Sequence, residues 1–126
     1  MKTNITAAEW KVMEVIWMRS PITAAEIEEL LREQEQSWAS NTVRTMLARL
    51  VSKGVLQYTQ ESNRYLYSPA ISRDECVRDE VDSLLDRMFD GAAQSLLVHF
   101  VQNRKLTRKQ IAQLRKILDD QEEGKP

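Results

Sequence analysis

Asn41, Thr42, Arg44 and Thr45 stand close together, with Arg49 and Lys53 following at helical spacing. Amide, hydroxyl and guanidinium groups grouped in this way offer the donors and acceptors that read base edges in a DNA major groove. Side chains suited to other chemistry are scarce. The chain has 1 histidine, His99, and 1 cysteine, Cys76, so neither an internal disulfide nor a cluster with metal-ligand spacing is expected. A nucleophile and base pair would have to join His99 to Cys76 or to a serine, and no spacing favours either. Gly54, Gly91 and Gly124 are too scattered for a phosphate-cradling loop. The carboxylates fall mostly at helix starts and on outward faces. No catalytic residue, metal or cofactor is assigned, and an enzyme is not expected. Cys76 reads as a buried or idle thiol rather than a redox sensor, since no basic neighbour is in view to lower its pKa.

The elements that must position these residues follow from periodicity. Val43, Met46, Leu47, Leu50 and Val51 recur at the spacing of an amphipathic helix, leaving the polar residues on its early and outer positions. Ser40 is its expected N-cap, and Gly54 fits the left-handed position past its end. The alternating stretch VLQYTQ, a polar tip Glu61 to Arg64 and the return Tyr65-Leu66-Tyr67 read as a hairpin. Upstream, Thr6 with Glu9 and Thr23 with Glu26 have the form of capping boxes. The first opens a helix from Ala7 to Met18, ended by Ser20-Pro21, whose crowded apolar set includes Trp10 and Trp17 as core residues. The second opens a helix with Ala24, Ile27, Leu30 and Leu31 on its buried edge. Three helices and a hairpin in this order make a winged helix-turn-helix. Trp38 either packs the turn before the third helix or lies against a phosphate. Tyr65 and Tyr67 with Arg64 set the wing on a DNA backbone, or simply satisfy β-propensity.

Past Ser68-Pro69 the pattern becomes wholly helical. Ser72 with Glu75 forms another capping box, followed by a stripe of Val77, Val81, Leu84, Leu85, Met88 and Phe89 that Gly91 ends. A short apolar helix, AAQSLLVHFV, carries Leu96, Leu97 and Phe100. A last helix opens at Thr107 and aligns Ile111, Leu114, Ile117 and Leu118. So short a helical region cannot bury this much apolar surface alone, and self-association is the simplest way to hide it. The expected fold is mainly α with a small β-hairpin wing. Residues 1–70 form the winged DNA-binding domain and 71–126 a helical dimerisation region of three helices.

With 42% hydrophobic and 29% charged residues the composition is that of a globular protein. No apolar run approaches the roughly 20 residues that span a bilayer, and the start MKTNITAAEW lacks the features of a signal peptide, so a cytoplasmic protein is expected. The net charge of -1 does not announce a nucleic-acid binder. Locally, however, Arg44, Arg49, Lys53 and Arg64 are opposed between Ser40 and Tyr67 only by Glu61, while acidic residues crowd the second helix. A basic face and an acidic back are therefore compatible with one fold. The competing reading is a winged-helix protein-interaction module without specific DNA binding.

AAEWKVMEVIW in the first helix, NTVRTMLARLVSKG in the third, and SLLVHFV followed by IAQLRKIL near the end resemble the BlaI/MecI/CopY family of winged-helix repressors, nearest to the BlaI/MecI members. The resemblance implies a homodimer that binds double-stranded, palindromic operator DNA through its N-terminal domains and pairs through its C-terminal helices. It carries operator contacts to Thr42, Arg44 and Thr45. Asn41 departs from the lysine common in close relatives, so the resemblance does not carry over the operator's identity, because asparagine reads adenine edges where lysine prefers guanine or phosphate. In the BlaI/MecI members a regulatory protease system leads to cleavage of an Asn-Phe bond in the dimerisation region, and the corresponding bond here is His99-Phe100. The paired CxC motifs of the copper-responsive members have no counterpart in the closing DDQEEGKP.

Overall fold

The computed structural model describes residues 4–124, so the outermost residues of both expected regions lie outside the described ones. Helix α1 (Ala7–Met18) starts at the anticipated box: Thr6 Oγ1 accepts from the Glu9 amide at 3.1 Å, and Glu9 Oε1 accepts from the Thr6 amide at 3.0 Å. Helix α2 (Ala24–Glu33) repeats the arrangement with Thr23 and Glu26. Each box satisfies amides that the helix itself leaves without partners. Helix α3 (Ser40–Ser52) differs from expectation at its start. Ala39, not Ser40, is the N-cap and offers no side-chain acceptor, because Ser40 is already in the first turn and donates its hydroxyl to Glu28 Oε2 at 3.0 Å.

The end of α3 is as anticipated. Gly54 sits at φ 80°, its amide donates to Val51 O at 3.0 Å, and the Val55 amide donates to Leu50 O at 3.1 Å. That pair of bonds is the Schellman arrangement, and it turns the chain straight into the wing. Strands β1 (Leu56–Glu61) and β2 (Arg64–Pro69) pair antiparallel, with Tyr58 opposite Tyr67 and Glu61 opposite Arg64. The tip is thus tighter than the expected Glu61 to Arg64 turn: only Ser62 and Asn63 lie outside the ladder, Ser62 at φ 55°. A further pairing went unread in the sequence. Ile22 exchanges both backbone hydrogen bonds with Tyr67, at 3.0 and 2.7 Å, fastening the α1–α2 connection to the wing.

The core lies among α1, α2, α3 and the base of the wing. Val12, Met13, Ile16, Ile22, Ile27, Leu31, Val43, Leu47, Leu50 and Val55 are all buried. Trp10 and Trp17 pack against this core only partly buried, their rings edge to face at 5.2 Å. Each keeps its indole N–H at a polar rim, Trp10 donating to Glu14 and Trp17 to the Ile71 carbonyl. A fully buried position would have needed a partner for that group inside the core. Trp38 also packs against the core, which favours the packing alternative for it.

Three further helices follow: α4 (Arg73–Met88), α5 (Ala93–Asn103) and α6 (Arg108–Gly124). Reciprocal bonds between Thr107 and Gln110 open α6. The chain divides into two compact units after Ser83, and the start of α4 belongs with the winged unit. Cys76 is fully buried there, and Arg73 grips Glu14 of α1 at 2.9 and 3.2 Å. From Leu84 onward, Met88, Leu97, Phe100, Ile111, Leu114, Ile117 and Leu118 are exposed, as is Val81 in the preceding unit.

Candidate nucleic-acid interface

Helix α3 turns Val43, Met46, Leu47 and Leu50 into the core, and this fixes which residues face out. Asn41, Thr42, Arg44, Thr45 and Arg49 are all exposed, so the structure brings these five expected residues to the open side of one helix. Thr45 Oγ1 donates to the Asn41 carbonyl at 2.7 Å, a bond back along the helix that fixes its rotamer.

Arg44 does not float. Its Nε donates to Ser40 Oγ at 3.4 Å and lies 3.9 Å from Glu28 Oε2. Glu28 belongs to α2, and neither its contact with Arg44 nor that with Ser40 was foreseen. The only sequence signal was an acidic residue on the helix that precedes the basic one. Arg49 has no ion pair within 4.0 Å among the described residues.

Lys53 makes contacts within the protein that the other expected residues do not. Its ammonium donates to Glu9 Oε1 at 2.6 Å and to the Asn4 carbonyl at 2.7 Å, bridging the end of α3 to the start of α1. The Glu9 side chain is 1% exposed and that of Lys53 is 26% exposed. Burial would raise the Glu9 pKa, but the Lys53 ammonium and the Thr6 amide outweigh it and hold the carboxyl below its ordinary value. In this structure the Lys53 ammonium therefore ties the end of α3 to the start of α1.

Arg64 stands at the start of β2, away from α3 in sequence. With Arg44, Thr23, Ala24, Ala25, Gln60, Asn63, Tyr65 and Tyr67 it lines an open groove of about 550 Å³ between the start of α2 and the wing. Arg44 and Arg64 give this groove positive charge. Tyr58 and Tyr65 stack at 4.3 Å, and Tyr67 leans on both. Burial raises the Tyr67 pKa, with Arg44 acting in the opposite direction. These tyrosines stiffen the hairpin by cross-strand packing.

The expected pairing residues of the helical region have a separate setting. Val77, Leu84, Leu85 and Leu96 are partly buried, whereas Val81, Met88, Leu97, Phe100, Leu114, Ile117 and Leu118 face outward. His99 and Phe100 lie in the middle of α5, both exposed, with the Asn103 side-chain Nδ2 donating to the His99 carbonyl at 2.8 Å. No group of three or more potential metal ligands occurs among the described residues. No helix among them is long and apolar enough to cross a membrane. The Cys76 thiol is pushed up to about 11 by burial and by the carboxylates of Asp79, Glu75 and Glu80.

Comparison with known proteins adds lineage to this geometry. Residues 5–120 match the family model described as penicillinase repressor. The penicillinase repressor of Bacillus licheniformis is 32% identical over 97% of this chain and 94% of its own. That of Staphylococcus aureus is 33% identical over 94% of each. Among solved structures, the DNA-binding domain of the repressor BlaI superposes with a TM-score of 0.53 at 36% identity, covering 60% of this chain and 93% of that one. With a winged helix-turn-helix whose counterpart is a repressor's DNA-binding domain, and with the match running into α6, the chain belongs to the penicillinase repressor family, whose members are transcriptional regulators and not enzymes.

Proposed function

We propose that this protein is a DNA-binding transcriptional repressor that acts as a homodimer on a palindromic operator. The observation that carries the reading is the outward face of α3. Asn41, Thr42, Arg44 and Thr45 are exposed together while the opposite face is locked into the core. In this account Asn41, Thr42, Arg44 and Thr45 read or approach base edges, and Arg49 and Arg64 hold the phosphate backbone. Lys53 acts indirectly by fixing the end of α3.

Pairing uses the outward apolar residues from α4 to α6, and its effect on DNA is one of effective concentration. Two tethered half-site modules bind far more tightly than either alone. Relief of repression follows when the helical region is cut or otherwise disrupted, with His99-Phe100 as the candidate bond. Since that bond is helical, a protease needs α5 to open locally before its backbone fits an extended active site.

Titration of operator and unrelated duplexes with the wild-type chain, Arg44→Ala and Arg64→Ala tests the DNA assignment. Arg44→Ala is expected to lower discrimination between the duplexes by about tenfold, as loss of a two-pronged base contact does. Arg64→Ala should weaken both alike and reduce the salt slope by about 0.9 per protomer. Equal losses on both duplexes for Arg44→Ala contradict its reading role. Sizing a chain truncated after His99 tests the relief step: monomers are expected, and a persistent tight dimer contradicts it.

A further inference from the structure

The contact of Glu28 with the first turns of α3 is a link between two helices that the DNA assignment does not itself require. Glu28 Oε2 accepts the Ser40 hydroxyl at 3.0 Å, Ser40 Oγ accepts from Arg44 Nε at 3.4 Å, and the carboxylate and guanidinium lie 3.9 Å apart. The Glu28 side chain is 15% exposed and that of Arg44 64%, so a partly covered anion lies at the base of a cation that reaches into solvent. An exposed ion pair adds little stability, and this one is asymmetric in a way that stability does not explain.

Resting on the reading of α3 as the DNA-reading helix, we infer that Glu28 is a positioning residue that sets the sequence discrimination of this protein through Arg44. The long arginine side chain otherwise samples many rotamers, and on DNA most of them end at a phosphate, since phosphates are the nearest and most numerous anions. Holding Arg44 by its Nε leaves the two terminal amino groups, the pair suited to a guanine edge, as the part presented to DNA. The Glu28 charge also opposes phosphate locally. Non-specific binding therefore loses part of one cationic contact, while a site that offers the right base edge still draws on the oriented fork. Ser40 is the relay: its hydroxyl joins carboxylate to guanidinium, which explains why it is not the helix cap.

Glu28→Gln keeps the size and an acceptor for Ser40 and removes the charge. Glu28→Asp keeps the charge and withdraws its reach. Binding of the full-length chain to its selected operator and to an unrelated duplex is measured across salt for wild type, both variants and Arg44→Ala, with thermal unfolding as a check that all fold. The Gln variant is expected to bind the unrelated duplex more tightly with a salt slope steeper by up to about 0.9 per protomer, and to lose roughly five- to tenfold in the operator-to-unrelated ratio. The Asp variant is expected to lose ratio as well, with its salt slope unchanged, an effect that plain charge repulsion or a merely structural role would not give. Ratios like wild type in both variants, alongside a lowered ratio in Arg44→Ala, overturn the positioning role and leave the DNA reading standing. An Asp variant indistinguishable from wild type also overturns it, because charge alone then suffices. A wild-type chain without preference for any duplex removes this inference together with the reading beneath it.

Discussion

Lys53 shows how far residue type and spacing carry an argument and where they stop. A lysine one residue past a basic helix reads as a phosphate ligand, but the partner that claims it, Glu9, lies 44 positions upstream and only the fold brings the two within 2.6 Å. Lys53→Met is expected to cost about 2–3 kcal/mol in unfolding experiments near neutral pH, because it leaves a buried carboxylate without its ammonium. The pH dependence follows from Glu9. Its folded pKa lies below the ordinary carboxyl value of 4.5, so its contribution is present above that value and is lost as pH falls through the folded pKa. The gap between wild type and Lys53→Met should therefore narrow on acidification through that window, and a gap that widens would contradict the assignment. Cys76 was legible from composition as an idle thiol, and its environment agrees. Burial and three neighbouring carboxylates keep it protonated, so labelling by a thiol reagent at pH 8 should be slow in the folded chain and fast after unfolding.

At the scale of elements, the sequence was most informative where a local rule acts alone. The Thr6 and Thr23 boxes, the run of α1 to Met18 and the Gly54 terminus depend on neighbours a few residues away, and all stand in the structure. What could not be read depends on distant partners. Ser40 looks like a cap until Glu28 is placed opposite it, and Ile22 looks like a loop residue until β2 runs beside it. The polar side of α3 was legible because a helix with four buried apolar positions has only one face left to expose. The groove beside it was not, since it joins α2 to the wing. Gly54→Ala isolates one local rule. A Cβ there meets nothing within 4 Å, so the cost is the left-handed backbone alone, about 1 kcal/mol, measurable by denaturant unfolding. A variant as stable as wild type would mean that the α3 terminus relaxes without strain.

For the whole molecule, the account joins a rigid winged unit to a helical region rich in exposed apolar side chains. Ile117 and Leu118, 55% and 58% exposed, are among the residues assigned to pairing. Leu118→Asp is expected to shift the chain from dimer to monomer on sizing and to weaken operator binding about a hundredfold, with little change in binding by one isolated half-site. A dimer of undiminished stability would move the interface elsewhere. The central claim is that the exposed turns of α3 read a specific DNA sequence. The measurement that tests it most directly is selection of genomic fragments by the purified protein at near-physiological salt, with Arg44→Ala in parallel. The account predicts enrichment of a palindromic site whose halves lie about one helical turn apart, lost in the variant. Enrichment of nothing beyond what the variant enriches would contradict it and favour a winged-helix module that binds protein.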